Sequence, residues 1–323
     1  MGSNAVRDLS GDQIHWQRTA GPAPVCDSLT SHVTADFVVV GGGLTGTRTA
    51  LGLAETGARV VLLEGKQIGY GASGRSGGQC NPMWRATPDE LAQRMGQMQA
   101  RRLIDATLGS ADALFADIER YGIACDSVQN GWVQAAHCRS AQRSLERLGT
   151  AWKAVSADIA FQDKAATQST SGSDAYNFSL FHARGGHVQP LSLTRGFADA
   201  AMRAGATLHE NSPVLSMTQD NGVWTVTTPA GNVSAPQVIL TTNAYSDDLW
   251  PKLRQTFFPL VSVSLATAPL SSELQKTVLP GGATLADTRR AIYYSRLDRD
   301  KRLIFGCVGS TDNAAEFVGI DRL

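Results

Sequence analysis

Four apolar residues in a row, running into three glycines, constrain this chain more than any other feature. The stretch reads Asp36-Phe37-Val38-Val39-Val40-Gly41-Gly42-Gly43-Leu44-Thr45-Gly46. Phe37–Val40 shows no alternation of polar and apolar side chains, so neither face of the extended segment belongs in water. That pattern predicts a strand covered on both sides, as inside a parallel sheet. Gly41, Gly43 and Gly46 have the spacing G-x-G-x-x-G, which serves a tight turn, an open backbone against a pyrophosphate and close packing of helix on strand. A helix is predicted from Leu44 to about Thr56. Its first amides, at Leu44 and Thr45, point toward the phosphates, where the helix dipole favours negative charge. After Gly57-Ala58, residues 59–64 form a second apolar strand ending in Glu64. This acid stands close to the roughly 20-residue offset at which a carboxylate accepts hydrogen bonds from a ribose hydroxyl, and it would repel a 2′-phosphate.

The chain has 323 residues, enough for about two domains at roughly 150 residues each. Lysine plus arginine (29) balances aspartate plus glutamate (29), so nothing in the charge calls for a nucleic-acid or anionic membrane partner. The five cysteines, Cys26, Cys80, Cys125, Cys138 and Cys307, are scattered and contain no C-x-x-C. Their number and spacing argue against a disulfide framework and a zinc site, and for a reducing compartment. The first 35 residues lack the apolar core of a secretory signal, and the apolar run 257–270 is too short and too interrupted to span a bilayer. The expectation is a soluble, cytoplasmic protein without a bound metal.

Residues 69–79 are the second informative stretch: Gly-Tyr-Gly-Ala-Ser-Gly-Arg-Ser-Gly-Gly-Gln. An NAD dehydrogenase would pass from the ribose acid into another amphipathic helix. This loop instead offers backbone amides, hydroxyls and a cation to an extended phosphate-bearing ligand. Taken with residues 36–46 and Glu64, it resembles the FAD-dependent oxidoreductases of the D-amino-acid oxidase and sarcosine oxidase type. Its Gly-Arg-Ser-Gly-Gly-Gln form is most similar to the branch typified by gamma-glutamylputrescine oxidoreductase. The resemblance implies an α/β fold, with a Rossmann-like FAD-binding domain and a second, antiparallel-sheet α+β substrate domain. By position, it implies that Gly41, Gly43, Leu44, Thr45 and Gly46 hold the FAD pyrophosphate and Glu64 the adenosine ribose. Ser73, Arg75, Ser76, Gly77, Gly78 and Gln79 reach toward the flavin, and Val214 offers its backbone to the adenine.

Along the chain, residues 1–34 read as an N-terminal extension, with Trp16 and the Pro22/Pro24 pair lying on the surface. Thr87-Pro88-Asp89-Glu90 is a helix start with a capping box. The apolar spacing beyond it predicts one long helix or two in succession, with Met95 and Met98 filling core. A further helix is predicted over 140–155 and another from Leu191 to about Ala204, stopped by Gly205. Residues 131–135, 178–183, 222–228, 236–242 and 260–267 read as strands, and 162–175 as an exposed connection. Residues 291–296 and 302–306 form a hairpin about a turn at 298–301. Thr242 and Asn243, at the carboxyl end of an apolar strand, are placed to approach the cofactor. The domains are then 35–85 with 185–247 for FAD, and 86–184 with 248–323 for substrate.

The resemblance implies hydride transfer to the flavin from the carbon beside a neutral amine nitrogen, followed by hydrolysis of the imine. The partner is then a small amine or amino acid, and no catalytic side chain is assigned. His187, Tyr293, Tyr294, Arg289, Trp84 and Arg85 are pocket candidates, while Cys80 reads equally as a buried small side chain. Relatives continue past the point where this chain ends, into a glycine-rich strand and helix near the flavin. A nucleotide-binding remnant without activity is one alternative reading, and an NAD-dependent Rossmann dehydrogenase, against which the loop over 71–78 counts, is another.

Overall fold

The computed structural model describes residues 14–258, 260 and 262–308. The glycine-terminated strand Phe37–Val40 lies inside a parallel sheet whose order is Gln237–Leu240, Phe37–Val40, Val60–Leu63, Thr207–His209. Alternate side chains of a strand point to opposite faces, and both faces here are covered. Val39, Val60 and Leu62 pack with Leu51, Leu193, Phe197 and Ala201, from the helices Leu44–Ala54 and Pro190–Arg203. Val38, Val40, Val61 and Leu63 pack on the other side with Val226, Val233 and Ala235. These last belong to a second sheet, ordered His32–Thr34, Asn232–Ala235, Val223–Thr227, Ser216–Asp220. An uninterrupted apolar strand is what such two-sided cover demands.

The other large sheet has seven strands, in the order Ser262–Pro269, Arg302–Val308, Tyr294–Leu297, Thr284–Asp287, Trp132–Ala135, Ser179–His182, Ile159–Gln162. All neighbours are antiparallel except Thr284–Asp287 beside Trp132–Ala135, which run parallel. The expected hairpin is present, with Arg302 N donating to Asp298 Oδ1 at 2.8 Å across its turn. Helices Gln97–Tyr121 and Arg139–Lys153 cover one side, burying Ile104, Leu145 and Trp152 with Leu180. The whole is an α/β fold: a Rossmann-like parallel unit joined to an α+β unit built on a mainly antiparallel sheet.

Several local expectations need correction. Residues 162–175 are not a bare connection, because Asp163 accepts from Ala166 N at 2.9 Å and caps a helix over Lys164–Ser171. Thr87 and Glu90 do form the capping box of Pro88–Met95. Gly96, at φ 84°, then ends that helix before Gln97–Tyr121 begins. The break resets the helical phase, so Met95 and Met98 are exposed (39% and 60%) rather than core. The N-terminal segment is not merely a surface extension. Trp16 is 4% and Leu29 2% exposed, and His32–Thr34 pairs in parallel with Asn232–Ala235. The parts of the expected extension, apolar run and C-terminal span that fall on 1–13, Pro259, Val261 and 309–323 lie outside the described residues. Among the described residues, no helix is long and apolar enough to cross a membrane.

Candidate functional site

The glycine turn sits at the carboxyl edge of the parallel sheet and draws its shape from close approaches. Gly41 has φ 110°, in the region that favours glycine, and its N–H donates to Leu63 O at 2.9 Å. A Cβ on Gly46 would stand 1.9 Å from Gly41 O, so the helix can lie against the turn only with glycine there. Gly43 caps the helix without a side chain, and a Cβ on it would meet Ser73 Oγ at 2.8 Å. That hydroxyl accepts from Leu44 N at 3.0 Å, joining the later loop to the helix start, while Thr45 is exposed beside it. The Glu64 carboxylate is half-buried and accepts from Gly42 N at 2.7 Å and Lys66 N at 2.8 Å. It therefore shapes the glycine turn as well as marking the strand end.

Thr241, absent from the sequence-based candidates, donates through Oγ1 to Val40 O at 2.8 Å and to Gly41 O at 3.0 Å. It locks the turn from the neighbouring strand. Thr242, the residue expected near the ligand, shares a 2.6 Å hydrogen bond with the Ser246 hydroxyl. Val214 is partly buried against the core on the far face of the sheet, and Pro213 packs against Gly65 just past Glu64.

The loop begins as a short 3-10 turn over Ala72–Gly74. Arg75 Nε donates to Tyr70 O at 2.9 Å, and its guanidinium lies 4.9 Å from the centre of the Tyr70 ring. Its Nη2 is buried with no hydrogen-bond partner among the described residues. Trp16 Nε1 donates to Ser76 O at 2.9 Å. Arg296 Nε donates to Gly77 O at 2.6 Å and its Nη2 to Val188 O at 2.8 Å. Burial pulls the Arg296 guanidinium down to about 10, which leaves it charged at neutral pH. Gly78, at φ +69°, would place a Cβ 2.2 Å from Val188 O. Gln79 Nε2 donates to Leu285 O and Ser295 O, both at 3.1 Å, so this side chain anchors the loop to the seven-stranded sheet.

The pocket candidates divide between the faces of that sheet. Tyr294 lies over the loop, where a Cβ on Gly77 would be 2.7 Å from its ring, and it shares its face with Arg296 and Gln134. Gln134 Oε1 is buried without a partner among the described residues, a feature the apolar setting of Trp132–Ala135 conceals in the sequence. Tyr293 and Arg289 are drawn to the other face. Asp287 pairs with the Arg289 guanidinium, whose charge lies 5.2 Å from the Tyr293 ring, and that ring packs on Phe305. His187 pairs in register with Gln79 on a two-stranded ribbon, and burial first, then Arg296 and Lys301, push it down to about 3. Trp84 is half exposed and donates to Thr107 Oγ1, and Arg85 is exposed. Burial pushes the Cys80 thiol up to about 11, as suits a packed side chain. A cavity of about 430 Å³ opens beside Cys138 and Arg139 and includes no residue of the glycine turn or of the loop over 69–79.

These residues suit a phosphate-bearing nucleotide. They offer a helix start with small residues around it, a carboxylate at the next strand end, and a buried arginine nitrogen in want of an acceptor. Comparison with known proteins agrees. Residues 36–322 match the family described as DAO, FAD dependent oxidoreductase. The chain is 35% identical over 294 residues to the probable oxidoreductase OrdL of Haemophilus influenzae, covering 88% of this chain and 67% of that protein. It is 34% identical over 282 residues to the gamma-glutamylputrescine oxidoreductase of Escherichia coli, covering 87% and 66%. It thus spans about two thirds of the length of these curated relatives. In fold it is similar to glycine oxidase from Geobacillus kaustophilus, with a TM-score of 0.69 at 21% identity over 87% of this chain and 73% of that one.

Proposed function

The chain belongs to the DAO family of FAD-dependent oxidoreductases, and from that premise we propose that it oxidises the C–N bond of a primary or secondary amine or an amino acid. The observation that carries this reading is the bond from Leu44 N to Ser73 Oγ, which joins the glycine turn directly to the glycine–arginine loop. In the proposed arrangement Gly41, Gly43, Gly46 and the amides of Leu44 and Thr45 hold the pyrophosphate. Glu64 faces the ribose, Val214 offers its backbone to the adenine, and Thr242 approaches the cofactor from the neighbouring strand. Ser73, Arg75, Ser76, Gly77, Gly78 and Gln79 form the flavin side. The FAD unit comprises 35–85 and 185–247, and the remainder from residue 86 onward covers it.

When bound, FAD supplies the two-electron acceptor for the hydride leaving the carbon beside a neutral amine nitrogen. The task left to the chain is to orient that amine, keep it deprotonated and exclude water until an imine can leave and hydrolyse. Tyr294 and Gln134 stand on the sheet face nearest the loop and are the side chains we assign to the substrate side. The E. coli relative, gamma-glutamylputrescine oxidoreductase, favours a polyamine-derived amine. All five cysteines are free, and we place the protein in the cytoplasm.

The visible absorption spectrum after incubation with FAD, followed by anaerobic titration with amines, tests the reading. A flavin band that one class of amine bleaches is the expected result. A colourless protein that takes up no FAD would overturn it, and bound flavin that no amine bleaches would leave a nucleotide-binding protein of another activity.

A further inference from the structure

Behind the loop, on the side away from the glycine turn, lies a group of residues that the proposed function does not use. Trp16 is buried among Ile14, Leu191 and Ile304, and its backbone oxygen accepts from Gln189 Nε2 at 2.8 Å. The Arg296 guanidinium lies 4.7 Å from the centre of its ring. Arg296 is 2% exposed, yet among the described residues it has no ion pair. The nearby Asp298 is engaged with His15 Nε2 at 2.9 Å. The guanidinium instead spends its donors on backbone oxygens: those of Gly77, Val188 and Leu297. A buried cation given only to neutral carbonyls is costly, so its geometry calls for a purpose beyond stability.

The consequence lies on the opposite side of the same peptide planes. In a trans peptide the carbonyl and the following N–H point in opposite directions. Trp16 Nε1 holds Ser76 O, which turns Gly77 N–H away from the clamp, and Arg296 Nε holds Gly77 O, which does the same for Gly78 N–H. Among the described residues neither amide has a hydrogen-bond partner. The absence of side chains at both positions leaves these adjacent donors open. We propose that Trp16 and Arg296 are positioning residues that present the Gly77 and Gly78 amides to the acceptor edge of the flavin ring, an inference that rests on the FAD reading above.

The test uses the 323-residue chain and the variants Trp16→Phe, Arg296→Lys and Arg296→Met, read by FAD dissociation constant, bound-flavin spectrum and hydrogen exchange of the FAD-free protein. Trp16→Phe keeps the ring and removes one donor, so FAD affinity should fall about fivefold. Exchange should quicken in peptides covering 71–80 and stay unchanged elsewhere. Arg296→Lys keeps the charge but not the planar fork, so it should fail to restore affinity and lie at least about tenfold below the parent chain. Parent-like affinity and spectrum in both Trp16→Phe and Arg296→Lys would overturn the proposal, even if Arg296→Met does not fold. Faster exchange spread evenly over the molecule would overturn it too, by showing a general structural role. If the parent chain takes up no FAD, the functional reading fails on its own. The exchange pattern then still decides whether the two side chains fix the loop.

Discussion

The two ends of the candidate site, the glycine turn and the loop over 69–79, are assembled by different means. At the glycine turn, nearly every contact comes from residues 36–73: Gly41 against Gly46, Gly42 against Glu64, Leu44 against Ser73, with Thr241 alone reaching in from afar. At the loop, the backbone of Ser76, Gly77 and Gly78 is held by Trp16, Arg296 and Val188, and the Gln79 side chain by Leu285 and Ser295. One end is nearly self-contained in a strand, a turn and a helix. The other exists only once distant parts of the chain have met. A change at the first end should therefore act through contacts made within one short stretch, and a change at the second through single contacts from distant parts of the chain.

The largest effect should come from Gly46→Val. With a Cβ only 1.9 Å from Gly41 O, the helix must leave the turn. The expected cost is about 3 kcal/mol or more, with loss of FAD uptake, read by urea unfolding and FAD titration. Normal uptake by this variant would show that the turn is not the rigid end of the pair.

Next in size is the pH effect of the buried His187 at the loop end. His187 ionises near 3 in the fold, against 6.5 ordinarily, because burial disfavours its cation. Between those values the unfolded chain binds a proton that the native state refuses. The contribution of His187 to stability is thus complete above about pH 6.5 and falls with acidification by about 1.4 kcal/mol per pH unit toward pH 3. Urea unfolding of the parent and of His187→Asn between pH 7.5 and 5 checks this, since the variant should lack that part of the slope. Parallel curves would remove His187 from the account.

The smallest effect sharpens the boundary between the ends. Ser73→Ala deletes the acceptor for Leu44 N and should cost about 1 kcal/mol, with FAD affinity reduced a few-fold. A stability loss without any change in affinity would mean that the hydroxyl serves the helix alone.

Much of the first end was legible because its physics is local. Two buried faces force Phe37–Val40 to be apolar throughout, positive φ and close approach force the glycines, and Thr87 with Glu90 announces its helix directly. Legibility fades where a residue's meaning depends on what arrives from elsewhere. Trp16 beside prolines looks like a surface residue until Leu191 and Ile304 close over it. Met95 and Met98 fit one helical stripe only if Gly96 is ignored. Ile159–Gln162 and Thr284–Asp287 are too short to show a period, and the second is buried by neighbours on both sides. Gln79, read as a cofactor residue from its place in the motif, also ties two sheets together, which no spacing could reveal.

The pairing of Trp16 and His15 with far-off partners also bears on the order of events as the chain is made. His15 waits for Asp298, 283 residues later, and Trp16 for Gln189, 173 residues later. The glycine turn can assemble as soon as its second strand has been synthesised. The segment around Trp16 is made earlier, but its partners are spread from Ser76 through Gln189 to Asp298, so its full set of contacts closes late, and such long-range closure is slow. A fusion placed ahead of this segment would therefore be felt last in time and far away in space, at the loop rather than at its own point of attachment.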